Sequence, residues 1–405
     1  MTRLSRTTKI ASMAMGTVLL LAEAGSAQIG NGSQTVEGAP SGRMSASGPV
    51  GPGLSRLPTT TPSVMPYEST GGSPPAGLVA GSTGDSGVGS DAYGVNDSFR
   101  WPYTIARVAV TGVPFNTTNG ALVPVASRPY RFSGKLWMRF GTSWYVCTAS
   151  LVKRGILITA AHCVHNYGQG AAGWANEVRW YPANWAAGGG PWGYYSAQTW
   201  RIPTPYFNGT DTCQSGAIGI VCNNDIATVR LAPRNGVHAG TALGGWYGYG
   251  WNGYSFIATP IFGNARVAQI TQIGYPVAID YGRQMLRGDS FGKYIARAGA
   301  NGKQLRNTQL GSAMTGGSSG GPWLVNFGTS PVVTGSASLG RVGTIARNIV
   351  VGTTSWGYTS VGINVQGASY FGQNAEFPLA NYGGRGAGNI GKLMYDTCIV
   401  APAYC

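Results

Sequence analysis

Leu157-Ile158-Thr159-Ala160-Ala161-His162-Cys163 reads as a short apolar strand that runs into two alanines and then a histidine beside a cysteine. An uninterrupted run of Leu and Ile this short fits a buried β-strand. The alanines leave room for an imidazole to be packed closely. The same pattern continues on both sides: apolar or alternating runs at 104–110, 135–140, 144–151, 226–231, 267–273, 323–325 and 349–354 are separated by Gly, Pro and Asn. They are rich in Val, Ile, Thr, Tyr and Trp, and the frequent turn residues leave little room for long helices. The pattern predicts an all-β sandwich or barrel from Phe99 onward. Helix is expected only as one turn after Thr159 and over 389–397. Between 244 and 256 Gly alternates with Trp and Tyr, which predicts a Gly-rich hairpin with its rings on the body of the protein, a sugar- or peptide-contacting loop being the alternative.

His162 is one of only three histidines, with His165 and His238, in 405 residues. Serine is a poor nucleophile unless a neighbouring base takes its proton and a third group holds that base in one tautomer. Scarce histidines are therefore the place to begin a search for chemistry. Asp225, in Cys222-Asn223-Asn224-Asp225-Ile226-Ala227, heads an apolar strand, where an acid can be partly buried while its oxygens accept hydrogen bonds. Asp211, its nearest rival, sits in a Gly/Thr/Ser loop and reads as a solvated turn aspartate. Ser319 lies in Thr315-Gly316-Gly317-Ser318-Ser319-Gly320-Gly321-Pro322-Trp323. Glycines there permit a tight turn and let a carbonyl approach the backbone. The amides of Gly317 and Ser319 can then face a developing oxyanion, a contribution of about 3 kcal/mol per donor. In a chain with 65 glycines such a motif also arises in linkers, so its weight comes from its order and company.

Composition places the chain outside the average cytosolic enzyme. Arg3, Arg6 and Lys9, then an apolar run over 10–22, then Gly25-Ser26-Ala27 read as an export signal over 1–27. A membrane anchor fits less well, because a span needs about 20 apolar residues and this run is shorter and followed by Glu23. Residues 28–98 are rich in Gly, Ser, Pro and Thr, which predicts a disordered pro-segment or linker, with an ordered inhibitory propeptide as the alternative. Six cysteines in an exported chain point to disulfides. Their spacing groups them as Cys147 with Cys163, Cys213 with Cys222, and Cys398 with Cys405, although sequence leaves the connectivity open. No pair has a Cys-x-x-Cys spacing, so no structural zinc site is expected, and a serine activated by a histidine needs neither a metal nor an organic cofactor. Five of the 28 Lys/Arg and six of the 13 Asp/Glu fall in 1–98, which leaves 23 against 7, a net +16, in 99–405. That charge favours anionic surfaces. The bases are scattered rather than grouped in a nucleic-acid module, so no specific nucleic-acid partner is expected.

In the order His, Asp, Ser, the motifs Thr159-Ala160-Ala161-His162-Cys163, Asp225-Ile226-Ala227 and Gly317-Ser318-Ser319-Gly320-Gly321-Pro322, followed by Ser355-Trp356-Gly357, resemble the chymotrypsin/trypsin-like serine peptidases. Gly274-Tyr275-Pro276 and Gly316-Gly317 resemble the bacterial glutamyl-endopeptidase branch. The likeness covers roughly residues 100–380. It implies two antiparallel six-stranded Greek-key β-barrels, over 99–235 with His162 and Asp225 and over 236–405 with Ser319, plus a short C-terminal helix. It also implies action on protein or peptide substrates and a Cys147–Cys163 disulfide bracketing the histidine; with the export signal and the 28–98 pro-segment, the chain reads as a monomer, secreted or periplasmic, made as a zymogen. Ser355, Trp356 and Gly357 would pair with the substrate backbone, and Ser355 would donate to Asp225. The triad mechanism comes with the family, whose members are its type case, and is not deduced from spacing.

Three departures bear on specificity and activation. Ser318 replaces the acid that trypsins place before the nucleophile, so their activation salt bridge cannot form. Ala313 stands where trypsins carry Asp, and no histidine lies near the Ser-Trp-Gly strand as glutamyl endopeptidases require. Ala313, Met314 and Gly357 instead imply an apolar primary pocket. A catalytically silent scaffold that binds partners or adheres to polyanions is the competing reading.

Overall fold

The computed structural model describes residues 34–41, 63–64, 68–69, 101–108, 124–185, 190, 192–211, 223–260, 263–298, 303–329, 346–357 and 364–405. The export signal expected over 1–27 lies outside these residues. So do Cys213 and Cys222.

The first barrel is built from β1 (Ser133–Phe140), β2 (Ser143–Leu151), β3 (Ile156–Thr159), β4 (Glu177–Pro182), β5 (Tyr195–Pro203) and β6 (Ala227–Leu231). Their order is β5-β6-β3-β2-β1-β4, and β4 pairs back onto β5 through Arg179↔Ser196 and Trp180↔Tyr195, which closes the ring. The second barrel contains β7 (Ala265–Gly274), β8 (Leu286–Ala298), β9 (Gln304–Gly311), β10 (Pro322–Val325), β11 (Ile349–Gly357) and β12 (Val365–Ser369). It runs β7-β10-β11-β12-β9-β8 and closes through eight register pairs between β7 and β8. All ladders in both rings are antiparallel, and strand ends that run past the closure are paired by further segments, as at Trp200–Pro203 of β5 and Leu286–Ser290 of β8.

Period-2 alternation decides which side chains fill the barrels. On β1, Leu136 and Met138 join the main core with Leu157, Trp180 and Val229. Trp137 points the other way and forms an outer cluster with Trp144, Val146 and Tyr181. Ile270, Leu310, Trp323, Val351 and Ala368 make the centre of the second barrel. The C-terminal helix, Gly388–Val400, lays Ile390, Leu393 and Met394 on the first barrel's core. Cys398 in its last turn is bonded to Cys405, and Cys147 on β2 to Cys163.

The runs read from sequence form strands or parts of strands within the described residues, the 104–110 run as Tyr103–Arg107 with 109–110 outside them, but β4, β5, β8, β9 and β12 were not among the runs. Their polar positions, such as Arg179, Gln198, Asp289, Gln309 and Gln366, break the apolar signal. The turn expected after Thr159 is a 3-10 turn over Ala161–Cys163. The 244–256 segment is not a hairpin. Gly248–Tyr249 instead runs parallel to Ile349–Val350 of β11, because Gly248 has no side chain to obstruct Ile349, whose Cδ1 lies 2.5 Å from where a Cβ would be. Tyr247 is buried, while Trp246 and Trp251 are exposed. A strand also forms at Thr35–Gly38, inside the stretch expected to lack structure, on the outer edge of β5. Two short pairings lie further along that stretch, Ser63–Val64 parallel to Tyr145–Val146 and Glu68–Ser69 parallel to Trp356–Gly357.

The barrels meet where Gly320, at φ 75°, comes so close to the first barrel that a Cβ would lie 2.0 Å from Thr159 Oγ1 and 2.3 Å from the Thr148 carbonyl oxygen. Gly236 has nearly the same φ, 77°, but nothing within 4 Å. Gly236→Ala therefore carries only the left-handed backbone penalty of about 1–2 kcal/mol. Gly320→Ala is expected to lose about 1–3 kcal/mol beyond that through overpacking. Urea unfolding of the two variants measures the difference.

Candidate active site

His162 is carried by the 3-10 turn that follows β3, and Asp225 stands two residues ahead of β6, the strand paired to β3 through Ala227↔Thr159. Adjacent strands thus deliver base and acid to one end of the first barrel. His162 Nδ1–H donates to Asp225 Oδ2 at 2.8 Å, and the His162 backbone N–H donates to Oδ1 at 2.9 Å. Ser355 Oγ, on β11 of the second barrel, donates to the same Oδ2 at 2.6 Å. The Asp225 N–H donates to Ser369 Oγ on β12 at 3.0 Å. Asp225 is fully buried. These bonds satisfy a carboxylate that would otherwise be costly inside the protein. With Nδ1 holding its proton toward Asp225, Nε2 is the ring nitrogen left to accept one.

Ser319 is bound into this corner through its backbone. The Thr148 N–H donates to the Ser319 carbonyl at 2.7 Å, Thr148 Oγ1 donates to the Gly317 carbonyl at 2.8 Å, and the Tyr275 N–H donates to Thr148 Oγ1 at 3.2 Å. Thr159 Oγ1, three residues before His162, donates to the Thr148 carbonyl at 2.8 Å. One threonine on β2 therefore fixes the serine loop to the strand that leads to the histidine. Sequence reading missed Thr148, and its only signal was its place beside Cys147. Gly317 sits at φ 97° with the Tyr275 carbonyl 2.5 Å from a notional Cβ, so no other residue fits. Ser319 Oγ makes no hydrogen bond, and among the described residues neither the Gly317 nor the Ser319 amide has an acceptor. Ser318, read as unable to form the activation salt bridge, donates its hydroxyl to the Thr315 carbonyl at 2.6 Å.

Met314, read as part of a pocket wall, is tied through its backbone into a polar network that sequence did not reveal. Gln366 on β12 donates to the Met314 carbonyl at 2.6 Å, and Ser312 Oγ, which accepts from the Met314 N–H at 3.1 Å, donates to Gln272 on β7 at 2.6 Å. Gln272 and Gln366 are bonded amide to amide. Met314 places its sulfur 3.1 Å from where a Gly274 Cβ would be, and Ala313 is partly exposed beside it. Trp356 is buried with Nε1 donating to Asn307 Oδ1 at 2.7 Å, and its ring lies flush on Gly367. Trp356 and Gly357 form the ladder to Glu68–Ser69.

The other two histidines are structural. His165 Nε2–H donates to the Gly170 carbonyl at 2.7 Å, its ring packs on Trp174 and Phe207, and burial lowers its pKa. His238 stacks edge-on with Tyr404, and its pKa is lowered by burial and by Arg154. Cys147, His162 and Cys163 bring their ligand atoms within 4.8 Å of one another, but both sulfurs are spent in the disulfide and lack the thiolate charge that a metal needs.

Asp211 is not a solvated turn residue. It is fully buried and accepts from the Asn223 N–H at 3.2 Å and the Asn224 N–H at 2.7 Å, the two residues just before Asp225. Consecutive amides pointing one way need a common acceptor, and a carboxylate with two oxygens supplies it. Burial first, then Glu376, pushes its carboxyl up to about 7, against the pull of those amides and of Lys303.

No family model and no curated protein matches the sequence. Among solved structures the chain is similar to a thermostable serine protease, AL20, from an extremophilic microorganism, at 21% identity over 60% of this chain and 92% of that one, TM-score 0.43. It is similar to the protease Anisep from Arthrobacter nicotinovorans at 22% identity, 60% and 91% coverage and TM-score 0.43. A Glu endopeptidase in complex with MPD matches at 15% identity, 66% and 90% coverage and TM-score 0.39.

Asp211 generates a pH signature. Its folded pKa of about 7 exceeds the ordinary 3.8, so the fold prefers the neutral acid. That contribution to stability is complete below the ordinary value and is lost as pH rises toward 7. The urea midpoint of the native protein is therefore expected to fall relative to Asp211→Asn between pH 4 and pH 7. A constant difference across that interval would refute the burial.

Proposed function

We propose that the chain is a secreted serine endopeptidase that cleaves peptide bonds through an acyl-enzyme. The observation that carries this reading is the buried chain from Ser355 through Asp225 to His162, together with a Ser319 that Thr148 ties through its backbone to the same barrel and whose hydroxyl makes no hydrogen bond. Ser319 Oγ attacks the peptide carbonyl carbon as His162 Nε2 takes the hydroxyl proton. Asp225 holds the ring and stabilises the imidazolium. The Gly317 and Ser319 amides receive the negative oxygen. Collapse breaks the C–N bond, and His162 returns the proton to the leaving amine. A water, deprotonated by His162, then releases the acyl group and restores Ser319.

The Ala313–Met314 segment and Gly357 support an apolar or aromatic residue before the cut. A latent form is part of the proposal. Ser319 is 1% and His162 2% exposed, and the Trp356–Gly357 edge that would receive a substrate backbone is already paired with Glu68–Ser69. The pairing supports occupation of that edge by the chain's own Glu68–Ser69 in the latent form. Fluorophosphonate labelling is expected to rise when residues 42–98 are removed, and to vanish in Ser319→Ala and His162→Ala. Ser355→Ala leaves Asp225 with one donor fewer and is expected to cost about tenfold in kcat/KM, the equivalent of one ordinary hydrogen bond. A processed protein that neither labels nor cleaves casein would instead be a silent scaffold.

A further inference from the structure

The strand Thr35–Gly38 is held by more than its ladder. Thr35↔Pro203, Val36↔Ile202, Glu37↔Arg201 and Gly38↔Trp200 pair it antiparallel to β5. Ahead of it, the Thr204 N–H donates to the Gln34 carbonyl at 2.9 Å and Gln34 Nε2 to the Glu376 carbonyl at 3.0 Å. Thr35 is 1% exposed and its hydroxyl donates to Asp396 of the C-terminal helix. Arg201 Nη2 donates to Glu37 Oε2 at 2.9 Å. Beyond the strand, the Ser41 N–H donates to the Asn176 carbonyl at 3.1 Å, and Asn176 Nδ2 to Ser41 Oγ at 2.7 Å. Gly38 makes the tightest contact, with ring atoms of both Trp174 and Trp200 2.6 Å from where a Cβ would lie.

These contacts join four separate parts of the body: β5, the C-terminal helix, the segment around Glu376 and the loop that carries Trp174 and Asn176. Backbone pairing supplies affinity, and the Gly38 notch and the Thr35 and Glu37 partners supply register, as in strand addition to a sheet edge. An open β5 edge would also present unpaired backbone groups to other chains. We infer that the outer edge of β5 is a binding site for one occupant, residues 34–41 of this chain, and that this peptide stays bound without a covalent link when the chain is cut downstream of it. Maturation within 42–98 then yields a two-piece protein, not a shortened one. None of these contacts depends on peptidase activity.

The test uses the full chain with Ser319→Ala, so that it cannot cut itself, and a site-specific protease sequence inserted after Gly51. The piece ending there contains no cysteine, so no disulfide can retain it. After cleavage both pieces are expected to co-elute in size-exclusion chromatography in buffer and to separate in urea. Gly38→Val is expected to release the small piece in buffer. Separation of the unsubstituted pieces in buffer, or retention that Gly38→Val leaves unchanged, would overturn the inference. Should the insertion resist cleavage, a chain lacking 28–41 reads the same contact: saturable binding of a synthetic 32–43 peptide supports the inference, and no binding overturns it.

Discussion

A buried carboxylate that neither barrel can satisfy alone organises this protein. Asp225 takes two hydrogen bonds from His162 within the first barrel and a third from Ser355 in the second, while its own N–H reaches Ser369. Leaving such a charge unpaired away from water costs several kcal/mol, so apposition of the barrels and satisfaction of Asp225 are one requirement. The same bonds orient the His162 ring, which is why the structural constraint and the proposed chemistry share residues.

Around that carboxylate, backbone geometry does what side chains cannot. Gly317 and Gly320 adopt positive φ and come within close contact of the Tyr275 and Thr148 carbonyls. Thr148 then gathers the Ser319 and Gly317 carbonyls and the Tyr275 amide into one cross-barrel knot. The serine loop is thereby held through its own main-chain carbonyls, and the Ser319 hydroxyl remains unengaged.

A further layer supports Asp225 from behind. Asp211 grips the two amides that precede it, and Asn389 and Asn374 bond to the neighbouring Asn223 and Asn224. The helix that contributes Asn389 also receives Thr35 through Asp396. The N-terminal strand, the C-terminal helix and the loop that presents the acid are therefore one connected support, although they lie hundreds of residues apart.

What the sequence by itself determined was local or sequential. Dense runs of Val, Ile and Tyr between turn residues made the chain all-β, and the frames around His162, Asp225 and Ser319, in that order, marked candidates for one site. The Cys147–Cys163 bond came with the family likeness and is present. Tertiary structure alone decided the rest, because it turned on partners distant in the chain. Asp211 looked like a surface aspartate until the amides of Asn223 and Asn224 reached it, and Thr148, Gln272 and Gln366 gave no local sign of bridging barrels or lining a network. Residues 34–41 carry too little apolar surface to order themselves, and their Gly/Ser surroundings read as structureless. Only the edge of β5, more than 150 residues away in sequence, supplies the backbone partners that make them a strand.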